Sequence, residues 1–579
     1  MARNMTRRDF LRVVGAGTGA AALAACGNTT PSAAGEPTEA VQPAVDTAAA
    51  TTVPAVDTAA ATAAPAVTTT AAGEAPATSS GLTLTYWAGL NVNVAATKQS
   101  FSEMTCYMEL EKATGVKLEF QHPPTGGTQA EEQFNLMIAS ATYPDVIEWN
   151  WLGFPGGPKK ALRDGVIIRL NELIDEHAPN LKKVLTENPE WRKQIITDEG
   201  DIYCFPFLRG DPTLLTFTGP AIRQDWLDKA GLKPPTTIEE WHTTLQGFKG
   251  KDLNGNGQED ESPFTPWMDS GVLTGFINSN AFIGAWGITP GFYQDNGVVK
   301  YGPSQPEFKE FLGTMLAWSQ EGLIDPDSFS LDQGAYDAKV TGSQLGAYIL
   351  RVGGGIGKFM SLMKDQDPKF KIVGVPYPTL KAGDKPILGQ RDNIYPGGAS
   401  AAITSANTHQ VETVKVLDYA YGPEGHMLFN FGVEGLTYTL VDGYPTYTDL
   451  IMKNPDNLPL SQSMAQHFRS NFAGPFVQDK RYFEQYSQLP EQKDAYTIWS
   501  QPSNERLMPP ITPTEEETRK FARTMTEVTT RYEEVFAKVL SGGQPLETWD
   551  GFVQELNQLG IEEALQVQQA ALDRYNKRP

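Results

Sequence analysis

LTLTYWAGLNVNVAATKQSFSEMTCYMELEKATGVKLEFQHPPTGGTQAEEQFNLMIASATYPDVIEWNW, residues 82–151, is the stretch whose reading decides the fold class. Leu82 to Trp87 alternates apolar and polar residues, as a half-buried strand does. A helical pattern runs from about Ser102 to Thr114 and stops at Gly115; Val116 to Gln121 then alternates again. Glu131–Ser140 carries Phe134, Met137 and Ile138 at helical spacing, and Tyr143–Glu148 is a turn into a third strand. Strands and helices in this order predict a parallel, doubly wound sheet and hence an α/β fold. Ligands of such sheets sit beyond the carboxyl ends of the strands. Trp87 lies at that end of the first strand, and Trp149 and Trp151 at that end of the third, which makes all three candidate ligand contacts.

Downstream, Asp201–Pro206 reads as a strand leading to a crossover, and Thr237 with Glu240 forms a capping box opening a helix to about Phe248. Near the end of the chain, Phe521, Met525, Val528, Tyr532, Val535, Phe536 and Val539 follow a 3.6-residue stripe. Two further helices are expected at about Leu546–Leu559 and Glu562–Asn576, and these read as scaffold.

Upstream, the first 26 residues read as a processing segment. Thr6-Arg7-Arg8-Asp9-Phe10-Leu11 is a twin-arginine pattern, followed by an apolar stretch from Val13 to Ala25. That stretch is shorter than the ~20 apolar residues of a membrane-spanning helix. It ends in Leu23-Ala24-Ala25-Cys26, a bacterial lipoprotein signal with lipid attachment expected at Cys26 and export expected by the Tat route. Residues 27–80 hold no aromatic residue, no Lys and no Arg, and PAVDTAAAT occurs at 43–51 and again at 54–62. Such a segment buries too little apolar surface to offset its ordering entropy, so a disordered linker is expected.

The remaining 82–579 is too long for one core, and two lobes are expected. The 47 basic and 69 acidic residues give a net charge of −22, which argues against nucleic acid and against direct binding to anionic lipid. Cys106 and Cys204 are read as two buried thiols, with a disulfide as the alternative. The six histidines show no metal-ligand spacing, and no G-x-S-x-G elbow is present. Arg351-Val-Gly-Gly-Gly-Ile-Gly357-Lys358 lacks both the gap and the hydroxyl of a phosphate loop.

The run from Ile222 to Glu261, IRQDWLDKAGLKPPTTIEEWHTTLQGFKGKDLNGNGQEDE, resembles the family 1 extracellular solute-binding proteins of ABC importers, in particular the lipoprotein branch and its alginate-oligosaccharide-binding relatives. Further matches are LNELIDEHAPNLK at 170–182, DYAYGPEGHMLFNFGVEGLTYTLVDGYPTYTD at 418–449 and NERLMPPITPTEEE at 504–517. The resemblance implies a two-lobed periplasmic-binding-protein-like fold of type II, with a hinge and a cleft between lobes. Lobe 1 is expected at about 82–208 plus 386–435, and lobe 2 at about 209–385 plus 436–579. The resemblance also implies capture of a carbohydrate, the permease subunits of an ABC transporter as partners, an extracytoplasmic location held by the lipid anchor, and a monomer without catalysis. A trap for a peptide and a secreted polysaccharide hydrolase are the alternatives.

Asp252-Leu-Asn254-Gly-Asn256-Gly-Gln258-Glu-Asp260-Glu261 places oxygen ligands at alternate positions around a tight loop, a donor set suited to Ca²⁺. The ending departs from the EF-hand, whose bidentate Glu stands at position 12. The family's calcium loop carries over to Asp252, Asn254, Asn256, Gln258, Asp260 and Glu261, with a structural role. For the ligand, aromatic faces for sugar rings and polar groups for hydroxyls are sought near strand ends and crossovers. The candidates are Trp87, Trp149, Trp151, Trp267, Trp286, Tyr438 and Trp499, with Glu434 in the phrase FGVEGLTY and with Arg351 and Arg391 in Gly-rich surroundings.

Overall fold

Two separate apolar cores organise the chain in a computed structural model that describes residues 81–124, 129–268, 275–276, 279–456 and 458–579. The signal segment at 1–26 with Cys26, and the linker at 27–80, lie outside the described residues. The first core is built on a four-stranded sheet in the order Ser400–Ile403, Val146–Trp149, Thr83–Ala88, Lys117–Gln121. Thr83–Ala88 pairs in parallel with both neighbours, as the β-α-β-α-β reading requires, and Ser400–Ile403 adds an antiparallel edge from far along the chain. The helix Thr105–Thr114 closes on Gly115, whose φ of 68° is left-handed; a residue without Cβ adopts this at no steric cost.

The second core holds a mixed sheet in the order Ile372–Gly374, Thr218–Arg223, Leu345–Arg351, Ser262–Thr265. The helix Ile238–Phe248 starts with the expected capping box of Thr237 and Glu240, and it buries Trp241, Leu245 and Phe248. The C-terminal stripe is one helix, Glu515–Leu540, with Val528, Tyr532, Val535, Phe536 and Val539 buried; Thr548–Leu559 and Ile561–Asn576 follow it. Trp226, Trp241 and Trp549 are fully buried in this core.

The chain crosses between the cores three times. It leaves the first core after Leu208 and enters the second at Ala221, returns between Tyr377 and Tyr395, and crosses again between Phe476 and Ala495. This is the two-lobed α/β organisation. One assignment needs correcting. The sequence reading gives 436–579 to the second lobe, but Ala465 and Phe476 pack in the first core, and Phe431, Tyr438, Tyr447, Phe468 and Tyr482 belong to a small third cluster. A second correction concerns Asp201–Pro206, which forms only isolated bridges, Ile202 to Ile196 and Phe205 to Ala401. The crossover ladder is instead the short parallel pair Leu208–Arg209 with Val477–Gln478. Cys106 and Cys204 are free buried thiols, and burial pushes each pKa up to about 12. No helix among the described residues is long and apolar enough to cross a membrane.

His467 ties the loop before the third crossing to the first lobe. Its Nδ1 meets Thr105 Oγ at 2.8 Å, and its carbonyl accepts from the Cys106 N–H at 2.8 Å. Burial, helped by the positive Lys98, lowers the ring pKa to about 4. The folded state therefore resists protonation that the unfolded chain accepts. The stability this supplies is complete above the unfolded value near 6.5 and is lost as pH falls toward 4. Between pH 7 and pH 4.5 the wild type should lose on the order of 2–3 kcal/mol more than His467→Gln. Urea titrations at the two pH values measure this; equal losses would remove His467 as an acid-sensitive group.

Candidate functional site

The crossing segments wall a cavity of about 250 Å³ at the junction of the lobes. Phe207 comes from the edge of the first core, Arg209 and Phe217 from the first crossing, Gln478, Tyr482 and Tyr486 from the third, Arg351 from the end of a second-lobe strand and Gly354 from the turn Val352–Gly357 after it. Asn471 and Phe472 complete the wall. The aromatic rings offer faces, and burial pushes the Tyr482 and Tyr486 phenols up, so both stay neutral hydroxyls.

Arg209 is held by its surroundings. Its guanidinium donates to Asp392 Oδ2 at 2.7 Å and to Gln478 Oε1 at 3.4 Å, and lies over the rings of Phe207 and Phe217. Gln390 accepts from the Phe217 N–H at 2.8 Å and donates to Asp392 Oδ1 at 3.2 Å, which fastens the first crossing to the second. The ion pair neutralises the guanidinium inside the wall. Two polar atoms of lining residues are left buried without partners among the described residues, Arg209 Nε and Asn471 Oδ1. One is a donor and the other an acceptor, and such groups are costly unless something pairs them.

Behind Phe472 lies a buried ion pair. Arg469 donates to Glu148 Oε1 at 2.6 Å and Oε2 at 3.0 Å and to the Tyr107 hydroxyl at 2.6 Å. Its guanidinium sits over Phe101 and Phe472. Glu148 lies at the carboxyl end of a first-lobe strand, so this pair connects the sheet to the cavity wall.

Among the described candidates, Arg351 is the one that lines this cavity. Trp267 lines a smaller recess that shares Arg351 and Gly354 with it. Trp151 and Trp499 are corrected to packing residues. Both are fully buried, Trp151 donating its indole N–H to the Ser400 carbonyl and Trp499 to those of Pro220 and Val375. Trp87, Trp149 and Phe134 form an aromatic cluster under the helix Gln129–Ser140, and Trp87 lines a separate open groove there. Trp286 packs edge-on against Phe311. Tyr438 belongs to the third cluster, Glu434 is exposed beside it, and Arg391 is half-buried next to Asp392. Arg209, Asn471, Tyr482 and Tyr486 escaped the sequence reading. Arg209, Tyr482 and Tyr486 sit on the crossings and Asn471 lies just before the third, where no local sequence pattern marks a ligand contact.

The cation loop is knitted by its own oxygens. Asp252 accepts from the N–H groups of Gly255 at 2.7 Å and Gly257 at 2.9 Å, and Glu261 Oε1 from those of Leu253 at 2.7 Å and Asn254 at 3.0 Å. Donors from Gln344 and then Asn256 hold the Asp260 carboxyl below its usual range. Asn254 and Asn256 both reach Asp260, whereas Gln258 is exposed. Glu261 Oε2 is buried with no partner among the described residues. An orphaned carboxylate oxygen in a loop that also carries the carboxylates of Asp252 and Asp260 and the amides of Asn254 and Asn256 fits a hard cation. Among the described residues no three His, Cys, Asp or Glu side chains form a ready metal cage, so amide and main-chain oxygens would have to complete the set.

A model of the bacterial extracellular solute-binding proteins matches residues 88–427. The chain belongs to this family. Among curated relatives it is 26% identical over 515 residues to the fructooligosaccharide ABC transporter substrate-binding protein FusA of Streptococcus pneumoniae serotype 4, covering 82% of this chain and 87% of FusA. It is 26% identical over 372 residues to lipoprotein LipO of Bacillus subtilis, covering 62% of this chain and 68% of LipO. Among solved structures it resembles alginate-binding protein AlgQ2 without calcium ion, at 27% identity and a TM-score of 0.68, covering 85% of this chain and 98% of AlgQ2.

Proposed function

We propose that this solute-binding protein captures an oligosaccharide in the junction cavity and delivers it to the permease of an ABC importer, without catalysing a reaction. The observation that carries the reading is the cavity wall. It combines aromatic faces with neutral hydroxyls and amides, the Arg209 charge is paired by Asp392, and Arg351 is the other cation of the lining. That chemistry suits sugar rings and hydroxyls, whereas a peptide trap needs a charged clamp for the termini. FusA and AlgQ2, named for fructooligosaccharide and alginate, support the same class. The twin-arginine pattern and the Cys26 signal support a lipid-anchored, extracytoplasmic protein exported by the Tat route.

The test is a thermal-shift screen of the full-length chain against saccharides and peptides. A saccharide bound at about 100 times its dissociation constant adds roughly 2.7 kcal/mol. A rise with a saccharide that is recovered intact supports the reading; a rise with peptides alone, or release of sugar product, overturns it.

The same reading includes a structural Ca²⁺ held by Asp252, Asn254, Asn256, Asp260 and Glu261 and a main-chain oxygen at Gln258. A bound cation would pair the orphaned Glu261 oxygen and offset the negative charge of the loop. At about 1,000 times its dissociation constant, Ca²⁺ should add about 4 kcal/mol, seen as a fall in melting temperature on chelation. Glu261→Gln should abolish that fall. Identical melting with and without chelator in the wild type would remove calcium from the account.

A further inference from the structure

The last residues of a chain fray unless something ties them down. Here they are tied to the opposite lobe. The helix Ile561–Asn576 packs in the second core through Ile561 and Ala564, and Arg578, just beyond its end, has a fully buried side chain. The Arg578 guanidinium donates to Asp198 Oδ1 from Nε at 2.8 Å and from Nη2 at 2.7 Å, to the Lys193 carbonyl at 3.2 Å, and to the Thr512 hydroxyl. Arg574 donates to the other oxygen, Asp198 Oδ2, at 2.6 Å, and spends its remaining nitrogens on Glu517 at 2.9 and 2.6 Å. Asp198 and Lys193 belong to the first lobe. Asp198 follows Ile195 and Ile196 and precedes Ile202, all three of which pack in the first core.

This clamp lies beside the second crossing. The Asn504 N–H donates to the Ile387 carbonyl at 3.0 Å, and its side-chain oxygen accepts from the Gly389 N–H at 2.9 Å. From there the chain reaches Thr512, whose hydroxyl donates to Asp198 Oδ1 at 3.4 Å. On the first-lobe side, the Gln194 side chain accepts at 3.0 Å from the N–H of Tyr395, where that crossing rejoins the first core. A second interlobe pair stands near it, Arg163 at the end of the helix Gly157–Arg163 with Glu515 in the first turn of Glu515–Leu540, at 2.5 Å. Desolvated ion pairs add little net stability, and their best-attested use is to fix one arrangement over others. Two planar guanidiniums on one carboxylate fix direction as well as distance.

We infer that Asp198, clamped between Arg574 and Arg578, is a non-covalent strut of the hinge that sets the resting angle between the lobes, which the three chain crossings alone leave free to vary. Closure on a solute is a rotation of the lobes about those crossings. Apparent affinity scales with the fraction of molecules already in a competent arrangement, so the strut acts on capture whatever the solute is.

The test is the distance distribution between two nitroxide labels in the unliganded full-length Cys26→Ser chain, measured by pulsed electron paramagnetic resonance. The labels go on Lys112→Cys in the first lobe and Glu239→Cys in the second, both exposed positions. Cys106 and Cys204 are buried, and inert to the labelling reagent for that reason. Asp198→Asn should raise the population outside the wild-type range about tenfold, the factor for one hydrogen bond to a charged group. A chain ending at Asn576, which lacks Arg578, should do the same and is the readout if Asp198→Asn does not fold. Arg578→Lys keeps the charge without the fork and should broaden the distribution less. Lys309→Ala, which breaks the 2.6 Å pair with Asp550 inside the second lobe, should leave it unchanged. Far-ultraviolet circular dichroism equal to that of the wild type shows that a broader distribution reports the lobe angle and not unfolding. Wild-type distributions in both Asp198→Asn and the shortened chain would overturn the strut, and so would equal broadening by Lys309→Ala.

Discussion

Arg469→Ala should destabilise the first lobe by about 3–5 kcal/mol, the cost of leaving a buried carboxylate without its partner. The Arg469 and Glu148 side chains are 2% and 5% exposed, so water cannot take the place of the guanidinium. Among the described residues Glu148 would keep the Tyr86 hydroxyl at 3.0 Å as its hydrogen-bond donor. The hydrogen bonds of Arg469 to Tyr107 and to the Ala473 carbonyl would go too, as would its cation–π contacts with Phe101 and Phe472. Since Asn471, Phe472 and Ala473 line the cavity, ligand affinity should fall with stability. Urea unfolding followed as separate lobe transitions measures the loss. The double replacement Glu148→Leu with Arg469→Met should recover much of it, because an apolar pair of similar bulk carries no desolvation penalty. A loss under about 1 kcal/mol for Arg469→Ala would place the pair in the class of solvated surface bridges.

Trp499→Ala should cost the second lobe about 3–5 kcal/mol, as loss of a buried large aromatic does. The indole is fully buried, and its N–H is shared between the carbonyls of Pro220 and Val375 at 3.1 Å each. Those carbonyls belong to strand Thr218–Arg223 and to the residue after strand Ile372–Gly374, so the ring clasps two neighbouring strands. A Cβ at Gly219 would lie 2.6 Å from the ring, which shows how closely the strand approaches. The measurement separates two roles. A packing residue lowers the melting temperature of the unliganded protein, whereas a ligand platform lowers affinity and leaves that temperature alone. An unchanged melting temperature would return Trp499 to the ligand candidates.

These two residues show where sequence reading reached and where it stopped. The strands at 83–88 and 117–121, the helix ending at Gly115, the capping box at Thr237 and the amphipathic helix at 515–540 were all legible, because each depends on periodicity or caps within a few residues. Trp499 could not be sorted the same way. It ends the helix Pro490–Trp499, and only the packing of that helix against strands more than a hundred residues away buries it. Trp267 and Arg351, 84 positions apart, reach a common recess for the same reason.

The sequence by itself determined the α/β class, the family, the helix and strand types and the oxygen-rich loop at 252–261, since local patterning and motif order carry that information. Only the tertiary structure decided which aromatic residues keep a surface, that 465 and 476 pack in the first core, and that Arg209, Asn471, Tyr482 and Gly354 share one cavity. The physical reason is that a cavity walled by two crossings and a strand end is assembled from segments far apart in the chain, and burial is a property of what arrives on the other side of a residue.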